Sequence, residues 1–171
     1  MKTVVLLYNT SCIYEIVILN YFLKFTGKDV VFVSLDGRSI TAMEGYSINV
    51  SSALSDIDAK EVELMIVPGG NIAEIDNKKV WDYLTCVHMN KGIIAGICAG
   101  VDVLDHAGIL EGIVSTHSSD LDVAVSDTVI TSRANGYVDF AIEVAKKMDL
   151  FEDENDLAET IAFWREYQRI Q

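Results

Sequence analysis

The sequence has a single proline, three cysteines, three histidines and half as many basic as acidic residues, and each shortage closes off a class of protein. With so little proline and no serine-rich stretch, no flexible linker divides the chain, and no internal repeat is present. No apolar run approaches the roughly 18 residues that a membrane span needs; the blocks at 4–8 and 16–19 are short. Lys2 followed by Val4-Val5-Leu6-Leu7 faintly imitates a secretory leader, but the stretch is too brief and no small-residue cleavage site follows it. Thirteen Lys and Arg against 26 Asp and Glu leave a net charge of −13. Such a surface repels phosphate backbones, so nucleic acid is excluded as a partner while small molecules are not. Cys12, Cys86 and Cys98 form no CxxC and no metal-type pair, and an odd count fits a reducing compartment, so a cytoplasmic location is expected.

What is present is enough apolar material for a sizeable interior. Half of the residues are hydrophobic and 23% are charged, which excludes a disordered chain, and 171 residues read as one domain, 1–171. The mean hydropathy is positive, a value that either a large core or a buried subunit interface would produce.

Hydrophobic periodicity alternates between two and 3.6. Strands are expected at 3–8, 29–34, 64–68, 92–97, 113–116 and 127–131, and a hairpin at 40–50 around Glu44-Gly45. A short helical link begins near 56–59. Helices are expected at 13–25, 77–90, from Ala99 onward, at 135–148 and at 156–170, the last with Leu157, Ile161, Trp164 and Ile170 on one face. The acidic cluster 152–156 reads as a solvated loop before that helix. Cys86, among Trp81, Leu84 and Val87, reads as a small buried hydrophobe, and His88 and His106 as helix-surface residues. Continuous apolar strands separated by helices imply an α/β fold with a mostly parallel central sheet covered on both faces. In such folds the site lies beyond the carboxyl ends of the strands, where segments 9–15, 68–71 and 96–100 meet.

Gly96-Ile97-Cys98-Ala99-Gly100 has the G-x-nucleophile-x-G spacing of a sharp strand-to-helix turn. The turn forces its central residue into a strained backbone conformation, and the glycines let strand and helix approach without Cβ clashes. Cys98 then stands at a helix N-terminus, where N–H groups favour a thiolate. Pro68-Gly69-Gly70-Asn71 ends a neighbouring strand, so the Gly70 amide, with that of Ala99, is a candidate oxyanion donor. A plain turn would use the same residues. Glu15 is expected in the first turn of the helix after the first strand, partly buried between Tyr14 and Ile16, with its pKa raised and a proton available. Ser11 is four residues before it rather than three, so a capping box fits poorly.

Together MIVPGGN, GIIAGICAG, STH at 115–117 and ITSR at 130–133 resemble the ThiJ/PfpI superfamily, especially its Parkinson-disease-protein (DJ-one) deglycase branch. The likeness runs from the first strand to about residue 148. It implies a flavodoxin-like three-layer sandwich, in the wider class of glutamine-amidotransferase-like domains. It also implies a reactive Cys98 hydrogen-bonded by Glu15, His117 near the thiol, and a homodimer. Glyoxalase or deglycase action on 2-oxoaldehydes follows from it, with redox sensing or another small hydrolase or hydratase activity through the same thiol as alternatives, and no cofactor or metal in any of them. Asn71 is a pocket candidate, and Arg133 an anchor for carboxylates or a subunit contact. The departures are Ala99, where peptidase-like members carry histidine after the nucleophile, and Val101-Asp102, where a proline commonly follows CAG. Amidotransferases need a His-x-Glu, and none of His88, His106 or His117 begins one.

Overall fold

The computed structural model describes residues 1–169; Ile170, assigned above to the last helical face, lies outside the described residues. The strands are β1 (Lys2–Leu6), β2 (Val30–Ser34), β3 (Ile40–Thr41), β4 (Ser47–Ile48), β5 (Ser52–Ala53), β6 (Val62–Val67), β7 (Ile93–Ile97), β8 (Val123–Ser126) and β9 (Val129–Ser132). The α-helices are α1 (Val17–Phe25), α2 (Lys78–Met89), α3 (Gly100–His106), α4 (Tyr137–Lys147) and α5 (Glu154–Trp164). Seven strands form one sheet in the order β5-β2-β1-β6-β7-β9-β8, parallel except for the β8–β9 pair, and β3 and β4 form a separate antiparallel hairpin. None of the described helices is long and apolar enough to cross a membrane.

The period of two divides each strand between two cores. Val4, Leu6, Met65, Val67 and Ile94 face one side, packed with Val80, Leu84 and Val87 of α2 and Val103 and Leu104 of α3. Val5, Leu64, Ile66, Ala95 and Ile97 face the other, packed with Leu19 and Leu23 of α1 and Phe140, Ala141 and Val144 of α4. α5 adds Leu157, Ile161 and Trp164 to the rim of that second core. The result is an α/β sandwich of three layers. At about 25 cal/mol per Å² of apolar burial, these two cores supply the main drive for folding.

Two local expectations are corrected. Residues 113–116 form no strand: the buried Ser115 turns its Oγ onto the amides of His117 and Ser118 at 3.2 and 3.3 Å, and this local bonding competes with a strand ladder. The edge strand there is instead β8, turned onto β9 through Asp127 at φ +47°. The stretch 13–25 is also not one helix. A 3-10 turn, Ile13–Glu15, ends at Ile16 (φ −122°, ψ 0°) before α1 begins. Glu15 is therefore outside the first turn of α1.

Candidate active site

β1, β6, β7 and β9 end side by side, and the loops that follow them converge. Cys98, immediately after β7, has φ +56°, a left-handed conformation rare for a residue with a side chain. Its amide still donates to Ser132 O at the end of β9 at 2.9 Å, so the strand holds the turn from one side. The helix holds it from the other: a Cβ on Gly100 would stand 2.1 Å from Val67 O, a contact that only glycine avoids. The thiol is consequently fixed at the sheet edge, partly exposed.

The loop after β6 faces it. Gly69 O accepts from the Cys12 amide at 2.9 Å, and the Gly69 amide donates to Glu15 Oε2 at 2.7 Å. Gly70 has φ +137°, and a Cβ there would lie 2.2 Å from Thr10 O. Among the described residues the Gly70 amide has no acceptor. Glu15 is 1% exposed, folded inward at the end of its 3-10 turn rather than along α1, and its Oε1 is buried with no hydrogen-bond partner among the described residues.

Burial pushes the Glu15 carboxyl above the usual carboxylate range, while the Gly69 amide, the thiol and the Tyr14 hydroxyl pull it back and Glu44 pushes it up. Burial also raises the Cys98 thiol, followed by the charge of Glu15; the Ala99 amide opposes both. An acidic thiol is thus not a property of the helix end alone. The Glu15 push vanishes when the carboxyl is neutral, so the two groups titrate as a pair.

The other expected residues are distributed as follows. His117 Nε2 lies 3.1 Å from Asp102 Oδ1 and Nδ1 3.6 Å from Asp105 Oδ2, so carboxylates of α3 face both ring nitrogens. Arg133 is half exposed with Nε 3.9 Å from Asp122 Oδ1. Asn71 caps the 3-10 turn Ile72–Glu74, accepting from the Ala73 amide at 3.3 Å, and its own amide donates to Thr10 Oγ1 at 3.0 Å. His106 is held by Asp76 at 2.9 Å, away from this group.

Sequence reading missed Thr10, and it placed Gly69 and Glu44 only in turns, without their contacts to Glu15 and Tyr14. Thr10 adopts φ +71° and locks the Gly70 loop, with no sequence signal for that conformation. Glu44, on the β3–β4 turn, accepts from the Tyr14 amide at 2.8 Å. Cys12 adjoins the site: burial first, then Glu15, Cys98 and Glu44, push its thiol up to about 11. Among the described residues no three His, Cys, Asp or Glu side chains converge as metal ligands would. A cavity of about 450 Å³ lies elsewhere, among Tyr21, Phe25, Phe151 and Trp164, and contains none of the residues around the thiol.

A sequence profile described as the DJ-1/PfpI family matches residues 1–147. Deglycase TK1284 of Thermococcus kodakarensis is 32% identical over 92 residues, 53% of this chain and 55% of that protein; the match thus spans about half of that relative's length. The glutathione-independent glyoxalase DJR-1.2 of Caenorhabditis elegans is 27% identical over 161 residues, 84% of this chain and 86% of its own. A DJ-1 superfamily protein of Agrobacterium tumefaciens superposes with a TM-score of 0.86 at 20% identity, covering 98% of this chain and 100% of that one, a likeness of fold.

Proposed function

The chain belongs to the DJ-1/PfpI family, and on that footing we propose that it is a cysteine-dependent enzyme that converts 2-oxoaldehydes to 2-hydroxy acids. The observation that carries this reading is the shared contact at Gly69: Cys98 Sγ and Glu15 Oε2 each lie 2.9 Å from the point where a Gly69 Cβ would stand. A nucleophile and a buried acid therefore flank one small space.

In this reading the Cys98 thiolate adds to the aldehyde carbon, forming a C–S bond. The former carbonyl oxygen takes the Glu15 proton while the Gly70 and Ala99 amides stabilise its charge. The Glu15 carboxylate then removes the proton from that carbon and returns it to the neighbouring one, by way of an enediol. The product is a thioester of the hydroxy acid, and water cleaves it to release the acid and restore the thiol. No outside oxidant or reductant enters, because one carbon is oxidised as its neighbour is reduced. Glu15 takes both proton steps, since the His117 nitrogens already face Asp102 and Asp105.

A homodimer in a reducing compartment completes the proposal. Val17, Tyr21 and Phe25 leave an apolar stripe on α1 that is 51%, 51% and 78% exposed in the isolated chain. The test is turnover of methylglyoxal to lactate without glutathione, by wild type and by Cys98→Ser. Wild type turns it over and the variant does not; wild-type activity no higher than a heat-inactivated control would shift the role of Cys98 to redox sensing.

A further inference from the structure

The hairpin formed by β3 and β4 is stitched to the loop that carries Glu15. Thr10 N donates to Thr41 O at 2.8 Å and Met43 N to Ser11 O at 3.0 Å. Thr41 N donates to Asn9 Oδ1 at 3.1 Å and Tyr14 N to Glu44 Oε1 at 2.8 Å. The hairpin is therefore a wall of the thiol site, and its turn carries an exposed carboxylate. Two more carboxylates share the rim. Glu74 Oε2 accepts from the amide and side chain of Asn9 at 3.3 Å each. Asp102 lies in the first turn of α3, four residues beyond the nucleophile.

Two basic side chains at this end lie beside acids. His117 lies between Asp102 and Asp105, and Arg133 faces Asp122. Lys2 and Lys28 pair with Glu61 and Glu63, which flank the opposite ends of the strands. The fields of the rim carboxylates reach the reacting groups: Glu44 pushes up both Glu15 and Cys12, and Asp102 pushes up Cys98.

We propose that Glu44, with Glu74 and Asp102, makes the Cys98 site selective by charge, admitting uncharged or cationic carbonyl compounds and rejecting those that carry a carboxylate. As a statement about substrate this rests on the enzymatic reading above, but the selection itself is a property of the thiol's surroundings. An uncharged 2-oxoaldehyde meets no opposition, whereas an anion of similar size, such as glyoxylate, must approach three carboxylates on a chain of net charge −13. Glu44 is the specificity-determining residue most open to change. It stands on an exposed turn, and glutamine keeps the oxygen that accepts from Tyr14.

The experiment uses two methanethiosulfonate reagents, one ending in trimethylammonium and one in sulfonate. The Cys98 sulfur attacks the thiosulfonate sulfur, forming a disulfide and releasing methanesulfinate from either reagent. Rates at Cys98 are read by peptide mass mapping and divided by those for 2-mercaptoethanol, an uncharged thiol. At low salt the cationic reagent should be favoured about tenfold beyond that reference, falling to about twofold in 1 M NaCl, as screened surface charges require. Glu44→Gln should lower the low-salt preference by about threefold. A ratio equal to the reference at low salt, or one unmoved by both salt and Glu44→Gln, overturns the proposal. In parallel, kcat/KM for methylglyoxal and for 4,5-dioxopentanoate, a 2-oxoaldehyde that also carries a carboxylate, separates the two claims. Absent turnover of both with the reagent preference intact removes the enzymatic reading alone, whereas equal turnover of both removes the charge selection.

Discussion

Gly69 separates Cys98 from Glu15 with room for a hydrogen atom and nothing larger: a Cβ there would lie 2.6 Å from Cys98 Cβ and 2.9 Å from Glu15 Oε2. The same residue donates its amide to that carboxyl at 2.7 Å and accepts the Cys12 amide at 2.9 Å. Nucleophile, acid and the loop after β1 are thus positioned by one residue.

Gly69→Ala should therefore damage catalysis more than folding. The added methyl must push the β6 loop away from Cys98 or turn Glu15 aside, at a cost of about 1–3 kcal/mol, and a displacement of about 1 Å is enough to lower turnover by about a hundredfold. Methylglyoxal kinetics and a thermal melt on the same sample check this. Activity within threefold of wild type would show that the juxtaposition is incidental.

The buried Glu15 carboxyl should also leave its mark on stability against pH. Its folded pKa is raised by burial above the ordinary 4.5, so the fold favours the neutral form. The stability associated with that neutral form is complete below about pH 4.5 and is lost as pH rises through the raised folded value. Glu15→Gln stays neutral throughout. Between pH 4.5 and 7.5 its Tm should gain on wild type by roughly 3–5 °C for each unit by which the carboxyl is raised. Parallel curves would mean that Glu15 titrates as in the unfolded chain.

Much of this arrangement was legible in the sequence, and the misses share a cause. The apolar runs that became β1, β2, β6 and β7 are unambiguous because both faces of the sheet are covered. The turn at Cys98 was legible because glycines at 96 and 100 answer to close packing, against Leu104 and Val67 respectively. What escaped was set by single polar contacts. Ser115 folds residues 113–116 into a hydrogen-bonded turn, and Thr10 takes a left-handed conformation to meet the Gly70 loop. Glu44 comes into play through a hairpin thirty residues away from Tyr14. Periodicity carries no record of such contacts, because each depends on where the chain has been brought by its core.

Association should follow the α1 stripe. Sedimentation at micromolar concentration should give about twice the 18.9 kDa chain mass. Replacing both Tyr21 and Phe25 by Glu should return the protein to the monomer mass, because charges placed in an apolar interface are left unpaired. A wild-type monomer would remove the dimer and leave the thiol site untouched.

The central claim is that Glu15 holds a proton beside the Cys98 sulfur, and a titration of the thiol tests it most directly. Thiolate absorbance is followed against pH in wild type, Glu15→Gln and Glu15→Leu, with Cys98→Ser as the blank. If Glu15 is a protonated donor, glutamine preserves the hydrogen bond and keeps the thiol near its wild-type value. Leucine removes the donor and raises the thiol pKa, by roughly a unit for a hydrogen bond to a charged sulfur worth about 1.5 kcal/mol. If Glu15 is instead ionised, leucine removes a neighbouring negative charge, and the thiol pKa falls. The account predicts the rise; a fall in Glu15→Leu would contradict it.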